Sequence, residues 1–287
     1  MYPWNILTFL IQVTFVERRP NRKGNIFTLR PRALPLSGVL RRIKGQRFAH
    51  SCGCESPRSA HMSTPLNLRG LTSEHVWDYE NGFYWFSDIR RIGKLLAHYE
   101  IYKKIASLPG HVVECGVYKG ASMIRWATFR DVTESKFSRK IIGFDAFGPF
   151  PTSSLRNEDD VTFTERFEAA GGEGITLDEA HALFQYKKMN ENVDFIQGDV
   201  HETIPQWLEE NTQGRIALLH LDMDVYEPTK VALENLWNRV VRGGVVVIDD
   251  YNAVGGATRA VDEFLADKDI VLQKYGVCHV PCFFVKP

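Results

Sequence analysis

No net charge, no long apolar run and no paired cysteine motif occur in this sequence, and each absence closes off a class of function. Lys and Arg total 35 and so do Asp and Glu. A balanced chain gives a polyanion such as nucleic acid, or an anionic membrane surface, nothing general to hold. Apolar residues at positions 6–16 are interrupted by Thr8, Gln12 and Thr14, and the stretch falls far short of the roughly 20 residues that cross a bilayer. A secretory signal carries its positive charge before the apolar run; here the charge follows it. The five cysteines, Cys52, Cys54, Cys115, Cys278 and Cys282, are odd in number and form no C-x-x-C pair. That excludes a disulfide scaffold and a zinc knuckle, and makes a reducing, cytoplasmic setting the default.

Charge balance over the whole chain conceals an uneven distribution. Residues 1–61 carry eleven Lys and Arg against two Glu, with Pro20, Pro31 and Pro35 scattered among them and no apolar period. Such a segment reads as a disordered basic leader, and a non-native leader upstream of a start at Met62 is the favoured account of it over a targeting segment. One domain is expected over 62–287.

From about residue 72 helix-like and strand-like segments alternate, as in a parallel sheet flanked by helices. Helices are predicted at 92–107, 121–130, 201–210 and 229–241. Strands are predicted at 111–114, 140–144, 193–197, 216–221 and 245–248, the last entered through a Gly243-Gly244 turn, with two further β segments near 270–273 and 277–285. Residues 146–192 exceed a simple crossover and offer two helix-like pieces, at 162–170 and 177–188. An insertion of that size beside a site is commonly a lid.

In an open parallel sheet, ligands bind beyond the carboxyl ends of the strands, so the residues that end each strand carry the information. The first strand runs into Glu114-Cys-Gly116-Val-Tyr-Lys-Gly120-Ala-Ser122, which is neither G-x-G-x-x-G nor a P-loop. An acid ahead of the glycines repels a pyrophosphate and suits a cationic ligand. Asp145, ending the second strand, is placed for a ribose diol, and Asp199 after the third for an adenine amine or the same ligand. A nucleoside without phosphates fits this set. Four more carboxylates, Asp222, Asp224, Asp249 and Asp250, follow two later strands, and their convergence is costly unless a cation or shared protons neutralise them.

The runs Glu114–Ser122, Asp145-Ala-Phe147-Gly148, His220-Leu-Asp222-Met-Asp224-Val-Tyr226-Glu-Pro-Thr229 and Ile248-Asp249-Asp250-Tyr251 resemble the macrocin O-methyltransferase family over most of residues 72–287. That resemblance implies a doubly wound, mostly parallel seven-stranded α/β sheet of the class I methyltransferase (Rossmann-like) type with a helical lid insertion. It also implies S-adenosylmethionine as donor, Mg2+ as metal, self-association into a homo-oligomer and, as acceptor, a hydroxyl of a sugar or of a glycosylated or nucleotide-linked sugar in natural-product or polysaccharide biosynthesis. Carried over residue by residue, Glu114, Gly116, Tyr118, Ser122, Asp145 and Asp199 bind the donor. Asp222, Asp249 and Asp250 hold the metal, and Asp224 is the general base, a role open to exchange with Asp222 because alternate residues share a face. Hard oxygen ligands suit Mg2+, which acidifies a bound hydroxyl. A catechol-type acceptor, or a silent binding protein with the same fold, are the alternatives.

Other residues have plainer readings. His220 in an apolar strand reads as a core histidine and His201 as a helix cap. Asp249 or Asp250 in a turn can cap the next helix, as can Thr258. Tyr79 and the Tyr84-Trp85-Phe86 cluster read as packing or as an acceptor wall, and Tyr226 and Tyr251 as pocket walls.

Overall fold

A computed structural model describes residues 65–287. The basic leader, the expected start at Met62, the apolar stretch at 6–16 and the thiols Cys52 and Cys54 lie outside the described residues. In chain order the elements are β1 (Asn67–Leu68), β2 (Leu71–Thr72), α1 (Val76–Phe86), α2 (Ile89–Ile105), β3 (His111–Cys115) and α3 (Ala121–Thr133). Next come β4 (Ile141–Asp145), α4 (Glu158–Gly171), α5 (Leu177–Tyr186), β5 (Val193–Gln197) and α6 (Val200–Glu210). The chain closes with β6 (Ile216–Leu221), α7 (Tyr226–Leu236), β7 (Val240–Ile248), α8 (Gly255–Leu265), β8 (Gln273–Lys274) and β9 (Cys282–Val285). Among the described residues no helix is long and apolar enough to cross a membrane.

Seven strands form one sheet in the order β5-β4-β3-β6-β7-β9-β8. The first five are parallel, while β9 runs antiparallel to β7 and β8 antiparallel to β9. Strand alternation sorts the core onto two faces. Val113, Ile142, Leu219 and Val246 pack with Ile204 and Trp207 of α6 and with Leu233 and Leu236 of α7. Their neighbours Val112, Ile141, Leu218 and Val245 face Ile101 and Tyr102 of α2 and Met123 and Trp126 of α3. Helices therefore cover both faces, which is why the parallel strands read as continuous apolar runs. The sheet order reverses direction between β3 and β6, and the crevice beyond their carboxyl ends is where such a sheet binds ligands.

Two local expectations are corrected. The helix expected at 229–241 ends at Leu236 and gives way to a short 3-10 turn, and β7 begins at Val240. Gly243 and Gly244 are therefore inside a strand. The register against β6 jumps from Ile216↔Val240 to Leu218↔Val245, so the extra residues loop out as a bulge, with Gly243 at φ 77°. Helix α1 went unread, because its aromatics serve no core: none of its residues is buried.

Candidate active site

Close backbone approach builds the floor of the crevice. The amide of Asp222 donates to the carbonyl of Cys115 at 2.9 Å and that of Asp249 to Leu221 at 2.9 Å, extending the ladder beyond the strands. Gly116 is required here: at φ 92° a Cβ would lie 1.9 Å from the Asp222 carbonyl oxygen. The glycine thus serves the β3–β6 junction as well as any ligand.

A cavity of about 310 Å3 opens over this floor. Gly116, Tyr118, Asp145 and Asp199 line one side, and Asp222, Asp224, Asp249 and Asp250 the other. The insertion supplies the facing wall through Phe150, Pro151, Ser154, Phe167 and Glu168. Tyr118 ties the β3 turn to that wall: its ring packs on Phe167 with centroids 5.0 Å apart and its hydroxyl donates to the Gly171 carbonyl at 2.7 Å.

On the first side the acids are held by the fold. Asp145 Oδ2 accepts the amides of Val117 and Tyr118 at 2.7 and 2.9 Å, and Oδ1 that of Phe147 at 2.7 Å. Burial nevertheless leaves its pKa above the ordinary carboxylate value, the three amides opposing. Asp199, not His201, caps α6, accepting the His201 amide at 2.9 Å with the imidazole Nδ1 at 2.6 Å. Its burial acts to raise the pKa, and His201 outweighs it and holds the group down. Glu114 and Ser122 do not line the cavity. They lie beneath it, with the Ser122 hydroxyl donating to Glu114 Oε1 at 2.5 Å and Glu114 wholly buried.

The acids on the second side have few such partners and face one another. Asp222 and Asp224 reach the cavity, as does part of the buried Met223 between them, while Val225 is buried away from it. Oxygens of Asp222, Asp249 and Asp250 come within 4.8 Å of one another. Burial, then the charges of Asp249 and Asp250, push Asp222 well above the usual range; burial, then Asp224 and Asp249, do the same to Asp250. Asp224 rises to about 7, through burial and then Asp222 and Asp249. It adopts the left-handed region at φ 63° and its amide donates to Asp250 Oδ2 at 3.1 Å. Neither Asp249 nor Asp250 caps α8 with its side chain.

Asp249 differs from its neighbours. Lys94 of α2 forms an ion pair with Oδ2, while His220 Nε2 stands 3.5 Å and His98 Nε2 3.8 Å from Oδ1. Burial acts to raise Asp249, but these partners hold it well below the ordinary value. Burial works against protonation of His220, yet Asp249 and Glu114 on its two ring edges, the latter 3.6 Å away, lift it to about 10. Burial pushes His98 down to about 3. His220 is thus a core histidine that also joins Glu114 to Asp249.

Lys94 and His98 were not singled out in the sequence. They lie at i and i+4 on the buried stripe that also holds Ile101 and Ile105, whereas Leu96 and Tyr99 of the same helix are exposed. A Lys and a His interrupting an otherwise apolar stripe are the signal that identifies them. Tyr226 and Tyr251 are not walls: their hydroxyls donate to Glu263 and Asp262. Tyr79 and the Tyr84-Trp85-Phe86 cluster are exposed and do not line the cavity. Thr258 sits inside α8, where its hydroxyl accepts the Asn252 amide rather than capping the helix.

The donor set fits a hard divalent cation. Three carboxylates offer only oxygen, share a small volume open to the cavity, and repel one another, and a cation between them removes that repulsion. His98, His220 and Asp249 also converge, but both histidines are fully buried behind the floor, where they support Asp249 as outer partners of a ligand do.

The chain is similar to sugar-modifying methyltransferases. It is 32% identical over 159 residues to the 8-demethyl-8-(2,3-dimethoxy-alpha-L-rhamnosyl)-tetracenomycin-C 4'-O-methyltransferase of Streptomyces olivaceus, covering 55% of this chain and 58% of that protein. To demethyldecarbamoylnovobiocin O-methyltransferase of Streptomyces niveus it is 29% identical over 175 residues, covering 57% and 61%. It therefore spans less than two thirds of each. Among solved structures it resembles a TDP-rhamnose 3'-O-methyltransferase of calicheamicin biosynthesis, with TM-score 0.54, 25% identity and coverage of 73% of this chain and 86% of that one. The fold is that of the class I methyltransferases. A macrocin O-methyltransferase family model matches residues 90–284, and the chain belongs to that family.

Proposed function

We propose that the protein is an S-adenosylmethionine-dependent O-methyltransferase acting on a hydroxyl of a sugar, or of a glycosylated or nucleotide-linked sugar, in natural-product or polysaccharide biosynthesis. The observation that carries this reading is the convergence of Asp222, Asp224, Asp249 and Asp250 on one end of a cavity whose other end presents Gly116, Asp145 and Asp199. The names of the relatives support the acceptor class.

In this reading Gly116 and Tyr118 receive the donor against the β3 turn, and Asp145 and Asp199 bind its polar groups. Asp145 Oδ1 accepts one amide and keeps a lone pair for a ribose hydroxyl. Glu114 and Ser122 brace this region from below. Asp222, Asp249 and Asp250, whose oxygens converge, would hold Mg2+. When bound, the donor supplies an electrophilic sulfonium methyl and the metal supplies Lewis acidity toward the acceptor oxygen. Asp224, at the cavity, would take the acceptor proton as the acceptor oxygen accepts the methyl and the carbon–sulfur electrons return to the donor sulfur. A base with a pKa of about 7 matches work near neutral pH. The 146–192 insertion, which walls the cavity, acts as the lid that excludes water.

The test is transfer of labelled methyl from S-adenosylmethionine to a panel of nucleotide-linked sugars, glycosides and phenols. Labelled sugar, lost in Asp224→Asn, is the expected result. Labelling of phenols alone, or full activity in Asp224→Asn, overturns the assignment.

A further inference from the structure

Residues 65–87 have no core of their own: none of them is buried, and β1 and β2 pair only with each other. Among the described residues, every hydrogen bond that this segment makes with the rest of the protein comes from one side chain, Arg69. Its Nε donates to Glu179 Oε1 at 3.0 Å, Nη2 to Glu179 Oε2 at 2.9 Å and to the Gly174 carbonyl at 2.6 Å, and Nη1 to the Glu173 carbonyl at 2.8 Å. The reach is made from a strained position. Arg69 and Gly70 are the two central residues of the hairpin, at φ 52° and 81°, as a type I′ turn requires. Asn, Asp or Gly suit the first of these places, where a residue such as Arg is disfavoured. Its side chain, rather than the chemistry of the turn, accounts for an arginine there.

These contacts converge on the joint between α4 and α5. Glu179 closes the capping box of α5, accepting the Thr176 amide at 2.8 Å while its own amide donates to the Thr176 hydroxyl at 3.2 Å. Gly172 and Gly174 of the joint line the main cavity, and on their inner side the Ile175 amide donates to the Tyr118 carbonyl at 2.8 Å. Arg69 and Glu179 keep 35% and 25% of their side chains exposed, so water weakens the charge pair. The fixing comes from the planar fork, which meets a carboxylate and two carbonyls at once. The hairpin precedes residues 90–284, which the family model matches, so the clasp lies outside the matched part of the chain.

Resting on the methyltransferase reading, we infer that Arg69 is a positioning residue for the donor pocket: it clasps the α4–α5 joint from outside and so holds the Gly172 and Gly174 wall against Tyr118. Helix α4 carries Phe167 and Glu168 of the facing wall. Release of the joint therefore loosens the lid on the donor side and leaves the four carboxylates of the other side as they are.

Calorimetry with S-adenosylhomocysteine and with Mg2+ on the full chain, together with amide hydrogen exchange, tests this by comparing the wild type with Arg69→Asn. That substitution puts Asn before Gly, the pair a type I′ turn favours, so the hairpin is strengthened while the clasp is lost. Affinity for S-adenosylhomocysteine should fall by about tenfold, as for loss of a charge-assisted contact, with Mg2+ affinity at the wild-type value. The Gly172 and Ile175 amides, bonded to Glu168 and Tyr118, should exchange about tenfold faster as the joint opens locally. Glu179→Gln keeps a side chain able to close the capping box and leaves Arg69 its two carbonyls, so the same changes should appear at smaller size. Wild-type exchange at Ile175, or wild-type S-adenosylhomocysteine affinity, in Arg69→Asn overturns the inference and leaves the methyltransferase reading intact. Absence of S-adenosylhomocysteine binding in the wild type would instead overturn that reading, while exchange at Ile175 still decides whether Arg69 clasps the joint.

Discussion

The two sides of the cavity use the same residue type under opposite conditions. Asp145 and Asp199 sit at strand ends with their oxygens occupied by amides of the turns they close. Asp222, Asp224 and Asp250 sit at equivalent strand ends with one amide contact among them, and their charges oppose one another. The first pair stabilises the loops that shape the pocket. The second group stores repulsion that a cation, a proton or an acceptor hydroxyl relieves. An acid at a strand end is therefore read by what satisfies it, because a carboxylate already saturated by amides has little left for chemistry.

Asp249 should give the largest effect, since it belongs to the reactive side and yet has its own buried partners. Asp249→Asn takes from the Lys94 ammonium its ion-pair partner and from the raised His220 imidazole one of its two carboxylate neighbours, leaving Glu114 as the other, and removing one member of a buried ionic group costs about 3–5 kcal/mol. Urea unfolding should show that loss together with abolished methyl transfer. Stability unchanged by this substitution would mean that Lys94 and His220 do not depend on Asp249. Asp224→Asn should separate chemistry from folding: the rate falls about 10²–10⁴-fold, as for loss of a general base, while urea stability holds or rises because a like charge has gone.

The strand-end acids were legible because a parallel sheet forces its ligands to one edge and because Asp222 to Thr229 forms a continuous motif. Strand positions were legible for the same reason, as both faces are covered and Ile216–Leu221 reads as one apolar run. The supporting cations were not. Lys94 and His98 precede the first motif residue and act across the fold on Asp249, a contact that no local period encodes. Nor did position alone distinguish Glu114 from Asp145. Glu114 is the penultimate residue of β3 and Asp145 the last of β4, but Glu114 meets Ser122 and His220 while Asp145 closes the turn beside the cavity. The Gly243-Gly244 pair looked like a turn because glycines mark both turns and bulges, and only the register against β6 tells them apart.

Smaller effects sharpen the contrast from the other side. Asp145→Asn replaces an acceptor of amides with a group that carries its own N–H donors, and should cost about 1–3 kcal/mol in urea unfolding and weaken the donor, with no change in metal affinity. A loss of metal binding in that variant would erase the distinction between the two sides. His111, which does not line the cavity, adds to the acid sensitivity that the buried His98 also carries. The His111 Nδ1 accepts the Lys140 amide at 3.2 Å, and burial, aided by the Lys140 charge, holds its pKa below 6.5. The unfolded chain takes up this proton more readily than the folded one, so the contribution is full above the unfolded value and is lost as pH falls through the folded one. His111→Gln should flatten the acid-side slope of stability slightly, and an unchanged slope would assign it to other groups.

The division between the two sides is tested most directly by Mg2+ calorimetry on the wild type, Asp250→Asn and Asp145→Asn. Saturable binding in the wild type and in Asp145→Asn, abolished in Asp250→Asn, is the predicted result. Equal binding by Asp250→Asn, or methyl transfer at full rate in chelator, would contradict the account.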